Sequence, residues 1–566
     1  MTQTDSRAEQ RRAGPEDRPL AKPRRHAGLR TAARWAAVCF GLALLNVALL
    51  RGALRLPVES ADEQVLLVYP IRMLHGSRLY RDIFTAYGPG EFWLLAKLYA
   101  VFGPAVVVER VIGVALHTTL AIGAFAIGSR RSRACAVTAS VATSVLLVPL
   151  GATAYAWLGA MALLVFALAV GERADQRGPL VVAGALAGLS VALRPDLLLP
   201  ALAVPVVVGL ARRSGLRSLL SGFCLGLVPT VVALVAAGPG MLTDVYVDRL
   251  GVAARASRLP VPPHLGDDRV LFAAVLAAAA VCLGTAAIRR ARSALANGAA
   301  VLALAALAQA LQRADWTHLL MALSVLCPLA LVLLVELMGV TRSHRSYALL
   351  ALGCTVVAIA VVGAPHRVLR PIVDSAGGDA GEVVQLHHDG RVLPLRPLRA
   401  TYLAGVLRDV DRVAGPQSVL FAGPLDWRHP SVTDLSSYYL LPGVRQRARQ
   451  MEITPVITTA SGSGLMTDLR TADILVLVDN GDRSHNLFPY AGPEPPRTND
   501  YIAEHFCVLS THGYYRVLVS VADGEQLNAV LHPVSPRTAP TPSGRQPTAD
   551  LGRPASCAAG GQQATS

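Results

Sequence analysis

Two acids stand side by side at Asp62 and Glu63, a dozen residues past Leu50, where the first strongly apolar segment ends. A carboxylate within hydrogen-bond reach of a hydroxyl can take its proton as that oxygen attacks an electrophile. It can also stabilise carbocation-like charge, or hold a divalent cation such as Mg or Mn against a phosphate. Adjacent side chains on a helix point in different directions, so the two acids are expected to differ in role, with Asp62 ranked first. The plain alternative is a solvated helix N-terminus, where acids complement the dipole. Further along stand "LRPD", with Arg194 and Asp196, and "QRADWTH", with Arg313, Asp315 and His318. A guanidinium matches phosphate oxygens with its planar fork. Arg194 therefore either binds a lipid phosphate or pairs with Asp196 to close a hairpin. Arg313 could neutralise a carrier phosphate and His318 assist it, or the loop could be an interfacial anchor held by an Arg–Asp pair. Arg249, Arg255 and Arg258 are further phosphate candidates.

The elements that must position these groups cross a membrane. Of the 566 residues, 53% are hydrophobic and only 16% charged, against about a quarter charged in soluble domains. About eleven apolar spans can be drawn, with cores at 35–50, 106–127, 134–150, 152–170, 179–193, 196–211, 217–237, 270–287, 295–311, 319–338 and 346–363. Residues 178–211 admit a second description, as one long broken helix. The net charge of +15 does not indicate nucleic acid, because the basic residues concentrate in the N-terminal tail (1–34) and in alternate short loops, at Arg130/Arg131/Arg133, Arg212/Arg213/Arg217, Arg289/Arg290/Arg292 and Arg342/Arg345. By the positive-inside rule these face the cytoplasm. The near-neutral loop 51–103 and everything after residue 363 are then extracytoplasmic. The first apolar run follows a long Arg-rich tail without a clear cleavage site and is expected to be a signal anchor. Usage rich in Ala, Val, Arg and Gly fits a high-GC bacterium, hence a multi-pass plasma-membrane protein.

Beyond the spans, 364–397 reads as a polar connector and 398–530 as a soluble α/β domain. "TYLAGVLRDVDRV" has helical spacing, while "SVLFAG", "ADILVLVD" and "YYRVLVSV" have the character of buried strands. Asn499 offers a cap for a short helix. Residues 531–566 are low-complexity and expected to be a disordered tail, and Cys507 could pair with Cys557 if both are outside. The fold class expected is mainly α: a polytopic helix bundle with a long first outer loop and a C-terminal α/β domain.

The first outer loop carries a more specific pattern. The acidic pair is followed by Gly76, Tyr80, Asp82, Tyr87, Gly88 and Pro89, then by "FG" before the second span. This resembles the first extracytoplasmic loop of GT-C glycosyltransferases, in the clan of protein O-mannosyltransferases and aminoarabinose transferases. The resemblance implies a polyprenyl-phospho-sugar donor, a cell-envelope glycan, lipid or protein as acceptor, and catalytic acids at Asp62 and at Glu63 beside it. It makes Asp82 and Tyr87 substrate-binding candidates, beside Arg194, Arg313 and His318. Asp82 has a plainer description as a turn acid. Where aminoarabinose transferases carry Lys-Pro-Pro, this chain has "YGPG", so the resemblance does not reach the donor sugar. No cofactor is assigned beyond the option of Mg or Mn. Two other classes remain open at this stage. A polymerase or ligase of lipid-linked glycans would rely on outer-loop arginines and a histidine. A transporter would place ionisable groups at mid-membrane, often on inverted repeats; here the acids gather at one face and no repeat is visible.

Overall fold

The structure, a computed structural model, describes residues 25–174, 176–212, 215–253, 266–289, 293–338, 368–377, 381–425, 434–451, 464–479 and 498–521, with the single positions 259, 261 and 427. The expected span at 346–363, the loop at Arg342/Arg345, the tail after 531, most of the N-terminal tail and the side chains of Arg249, Arg255 and Arg258 lie outside the described residues.

The other ten expected spans all fall on helices. These are α1 (Arg25–Leu50), α4 (Val106–Gly128), α5 (Arg133–Leu147), α6 (Ala156–Arg173), α7 (Arg177–Leu193), α8 (Leu198–Arg212), α9 (Leu216–Gly226) with α10 (Val228–Ala237), α11 (Gly266–Arg289), α12 (Ala294–Gln312) and α13 (Trp316–Met338). Among the described residues nine helices are long and apolar enough to cross a membrane, and α7 is a shorter apolar helix. Two spans open on serine caps, Ser132 Oγ accepting from Cys135 N and Ser293 Oγ from Ala296 N, which satisfies amides that the helix cannot. Large apolar side chains such as Leu199 and Val235 stay exposed on α8 and α10, as a lipid-facing surface requires. The span at 217–237 is interrupted once, where a turn at Leu227 separates α9 from α10.

Residues 178–211 make two helices. Arg212, at the end of α8, donates to the carbonyls of Gly171 and Glu172 at 3.2 and 2.6 Å, beside the start of α7, so α8 runs back along it. α7 and α9 meet through facing Gly-x-x-x-Gly pairs, Gly184/Gly188 and Gly222/Gly226. A Cβ at any of the four would lie about 2 Å from a carbonyl oxygen of the other helix, a backbone approach that only small residues permit.

The basic loops gather at one end of the bundle. Arg130 pairs with Glu172 at 3.4 Å, Arg131 with Glu336, and Arg289 donates to the Glu336 carbonyl at 3.1 Å. At the other end, the first loop folds into α2 (Ala61–Leu74) and α3 (Pro89–Phe102). Tyr80 and Tyr99 are buried there, their hydroxyls donating to the carbonyls of Tyr87 (2.8 Å) and Leu66 (3.3 Å).

The C-terminal region after 397 is an α/β unit. Helix α14 (Arg370–Gly377) and the hairpin β1 (Val384–His388) and β2 (Arg391–Leu395) precede it, and α15 (Pro397–Val413) opens it. Its sheet has the order β3 (Leu420–Pro424), β4 (Ile474–Val478), β6 (Tyr515–Ser520), β5 (Phe506–His512), with β3 and β4 parallel and the rest antiparallel. The hairpin lies where a polar connector was expected. Asp389 and Gly390 both have positive φ, and a two-residue Asp-Gly turn of that kind is what closes a hairpin. Asn499 sits inside the helix Thr498–His505 rather than ahead of it, and its Oδ1 accepts from the Trp427 amide at 3.3 Å. Cys507 is disulfide-bonded, to a partner outside the described residues. One hydrophobic core runs through both the first loop and this unit, from Val58, Leu67 and Phe92 to Leu403, Leu420 and Val517. Arg399 stitches the seam, donating to the Val58 carbonyl at 2.7 Å while it pairs with buried Asp434 at 2.8 Å.

Candidate active site

Helix α2 presents three consecutive polar side chains to three different neighbours, as the turn of about 100° per residue requires. Asp62 points into a cavity, its Oδ1 accepting from the Tyr87 hydroxyl at 2.6 Å. Glu63 points to α4, where its Oε1 accepts from Arg110 Nε at 2.7 Å with both side chains buried. Gln64 points to the C-terminal unit, accepting from the Leu435 amide at 2.5 Å. Arg110 also donates to the carbonyls of Leu54 and Leu56, at 3.0 and 2.7 Å, so it ties α4 to the strand of chain leading into α2. The next acid on α4, Glu109, accepts from the Ala154 amide at 2.7 Å and fixes the loop that carries Tyr155.

The turn between α2 and α3 aims Tyr87. Gly76 and Tyr80 have φ of 94° and 65°. For a tyrosine that conformation costs on the order of 1–3 kcal/mol and persists only where its surroundings impose it. Here the Tyr80 amide donates to Ile83 O at 2.8 Å and its hydroxyl to Tyr87 O. Asp82 accepts from the Arg78 amide at 2.9 Å and is half-exposed. Its observed work is to cap this turn, and it does not line the cavity.

Gly-Pro-Gly then sets α3 against the end of α7. A Cβ on Gly88 would lie 2.3 Å from Ala192 O and 2.5 Å from Leu193 O, and the Gly88 amide donates to Leu193 O at 3.2 Å. Gly88→Ala is expected to lift α3 off α7 and destabilise the protein by about 1–3 kcal/mol, seen as a lower melting temperature in detergent. An unchanged melt would remove this contact from the account.

The cavity encloses roughly 530 Å³, mouth included, and is lined among others by Asp62, Tyr87, Glu91, Tyr155, Arg194 and His318. Four of the seven residues expected from sequence therefore meet in one place. Arg194 is buried and forked onto Asp196, with Nε–Oδ1 at 2.8 Å and a terminal nitrogen to Oδ2 at 2.6 Å. The pairing with Asp196 that closes the α7–α8 turn is observed, and the same side chain lines the cavity. His318 Nδ1 lies 2.7 Å from Asp315 Oδ1, and Arg313 Nε donates to Asp315 Oδ2 at 3.1 Å. Arg313 is not among the lining residues and meets His318 through Asp315. Burial works against the Asp315 charge, but His318 and then Arg313 hold its carboxyl well below the ordinary range. Glu63 and Asp82 are not among the lining residues.

Sequence reasoning missed Glu91, Tyr155, Gln309 and Thr317, all lining residues. An acid directly after Gly-Pro-Gly was the one available signal. Burial pushes the Glu91 carboxyl well above the usual carboxylate range; Arg194 opposes that shift and Asp62 adds to it. Among the described residues no group of three or more His, Cys, Asp and Glu stands together to hold a metal ion, so no ligand set for Mg or Mn is assigned.

No protein-family model matches the chain, and no curated protein matches it in sequence. A crystal structure of ArnT from Cupriavidus metallidurans bound to undecaprenyl phosphate does match in three dimensions, with a TM-score of 0.51 over 87% of this chain and 99% of that one, at 15% identity. The chain shares the fold of that ArnT structure. The same enzyme in its apo state has a TM-score of 0.49 at equal coverage and identity. The polytopic bundle with a small C-terminal sheet, expected from the sequence, is therefore the architecture observed.

Proposed function

We propose that this chain is a membrane glycosyltransferase that takes a sugar from a polyprenyl-phosphate carrier and passes it to a cell-envelope acceptor on the extracytoplasmic side. The observation that carries this reading is the position of Asp62: held by Tyr87, it opens into a cavity shared with Arg194 and His318, in a fold whose ArnT representative binds undecaprenyl phosphate. The lipid tail of such a donor dissolves in the bilayer while its head reaches the first loop. Asp62 takes the proton of the attacking hydroxyl. Arg194 and His318 face the phosphate that leaves, and Arg313 steadies His318 through Asp315. The basic collar at the opposite end supports a cytoplasmic N-terminus and a cavity outside.

The test is transfer by purified protein in nanodiscs, supplied separately with undecaprenyl phosphomannose, phosphoglucose and phosphoarabinose and with a cell-envelope extract as acceptor. Acceptor-dependent release of undecaprenyl phosphate from at least one donor is expected, and its identity separates hexosyl from pentosyl transfer. Absence of release from all three would sink the reading.

A further inference from the structure

Glu91 shares the cavity wall and has no part in the scheme above. It lies in the first turn of α3, only 3% exposed. One of its oxygens, Oε1, has no hydrogen-bond partner among the described residues. Buried polar atoms are seldom left so, and one in a cavity wall points to a ligand that completes it. The groups around it come from every element packed there: Asp62 and Tyr87 from the first loop, Glu109 on α4, Tyr155 ahead of α6, Arg194 between α7 and α8, and His318 on α13. The Arg194 charge is matched by Asp196, and His318 is engaged by Asp315. A phosphate entering this space already meets the Asp62 carboxylate. A second carboxylate at 91 would repel it further, whereas a protonated one offers it an O–H.

We infer that Glu91 is a second working carboxyl of the cavity, giving its proton to the phosphate oxygen set free when the glycosyl bond breaks. The inference rests on the glycosyltransferase reading. In the step, the acceptor oxygen bonds to the anomeric carbon and its proton passes to Asp62. The bond from that carbon to the phosphate oxygen breaks with its electron pair on oxygen, and the Glu91 proton moves there. Asp62 ends protonated and Glu91 ionised, and exchange with solvent at the cavity mouth restores both. Burial favours the protonated form of Glu91, and a proton-bearing carboxyl beside a second carboxyl in one cavity lets a single site supply an acid and a base together.

The test is kcat against pH for release of undecaprenyl phosphate from whichever of the three phosphosugars the wild-type protein consumes. For the wild type, kcat should fall on the alkaline side as Glu91 loses its proton. Glu91→Gln keeps the size and a donor but has no proton to give. It should lower kcat about 100-fold and flatten the alkaline limb, a change that a purely structural role would not produce. Glu91→Asp should keep the limb at reduced kcat, and it decides the matter if the Gln variant does not elute as a monodisperse protein. Wild-type kcat and limb in Glu91→Gln, or wild-type kcat in Glu91→Asp, overturns the inference while leaving the transferase reading standing. A wild-type protein inert toward all three donors overturns both.

Discussion

Asp62→Asn is expected to lower kcat by about 1,000-fold, within the range by which a positioned general base accelerates proton transfer, and to leave folding intact. Asparagine keeps the oxygen that accepts from Tyr87 at 2.6 Å, so the wall of the cavity keeps its shape. Its amide cannot take a proton from the attacking hydroxyl. The effect should fall on kcat, with the KM for undecaprenyl phosphosugar changed little, because the lost interaction exists only in the transition state. Turnover within a few-fold of wild type would remove Asp62 from the chemistry.

The neighbouring pair should respond in a different quantity. Arg110→Ala strands the Glu63 carboxylate in the interior and frees the carbonyls of Leu54 and Leu56. Breaking a buried pair from one side costs about 3–5 kcal/mol, so a large fall in melting temperature is expected from purified protein. Glu63→Gln should cost less, since its amide oxygen can still accept from the guanidinium. A melt of Arg110→Ala equal to wild type would show that this pair does not hold α2 to α4. With the expected fall in melting temperature, the adjacent acids have separate consequences, rate for Asp62 and stability for Glu63.

How much of this was legible depends on which physical signal each feature carries. The spans announce themselves because a lipid-exposed or bundled helix must be apolar over a fixed length. The two crossings at 178–211 were the expected reading, with one long broken helix as the alternative, since Arg194 and Asp196 could mark either a turn or a break until their fork was seen. Asp62 stood out by its place after the first span, and helix geometry already implied that Glu63 faces elsewhere. Glu91 was marked only by its place directly after Gly-Pro-Gly. Its position depends on Gly88 and Gly90 lying against the carbonyls at the end of α7, a contact between segments a hundred residues apart. The hairpin at 384–395 carried an Asp-Gly turn signal, masked by the histidines and charges around it. Strand β5 mixes Phe506 and Cys507 with Ser510, Thr511 and His512, and it is an edge strand, where one side need not be apolar.

The seam made by Gln64, Arg72 and Arg399 has a temporal side. Arg72 donates to Ala448 O at 2.5 Å, and each of these bonds joins positions more than 300 residues apart. A nascent chain therefore inserts its helices long before the segment that braces α2 has left the ribosome. Contacts of such long range form late, so Asp62 acquires its setting only at the end of biogenesis, and a chain interrupted before residue 397 leaves the membrane occupied by an unfinished, silent protein.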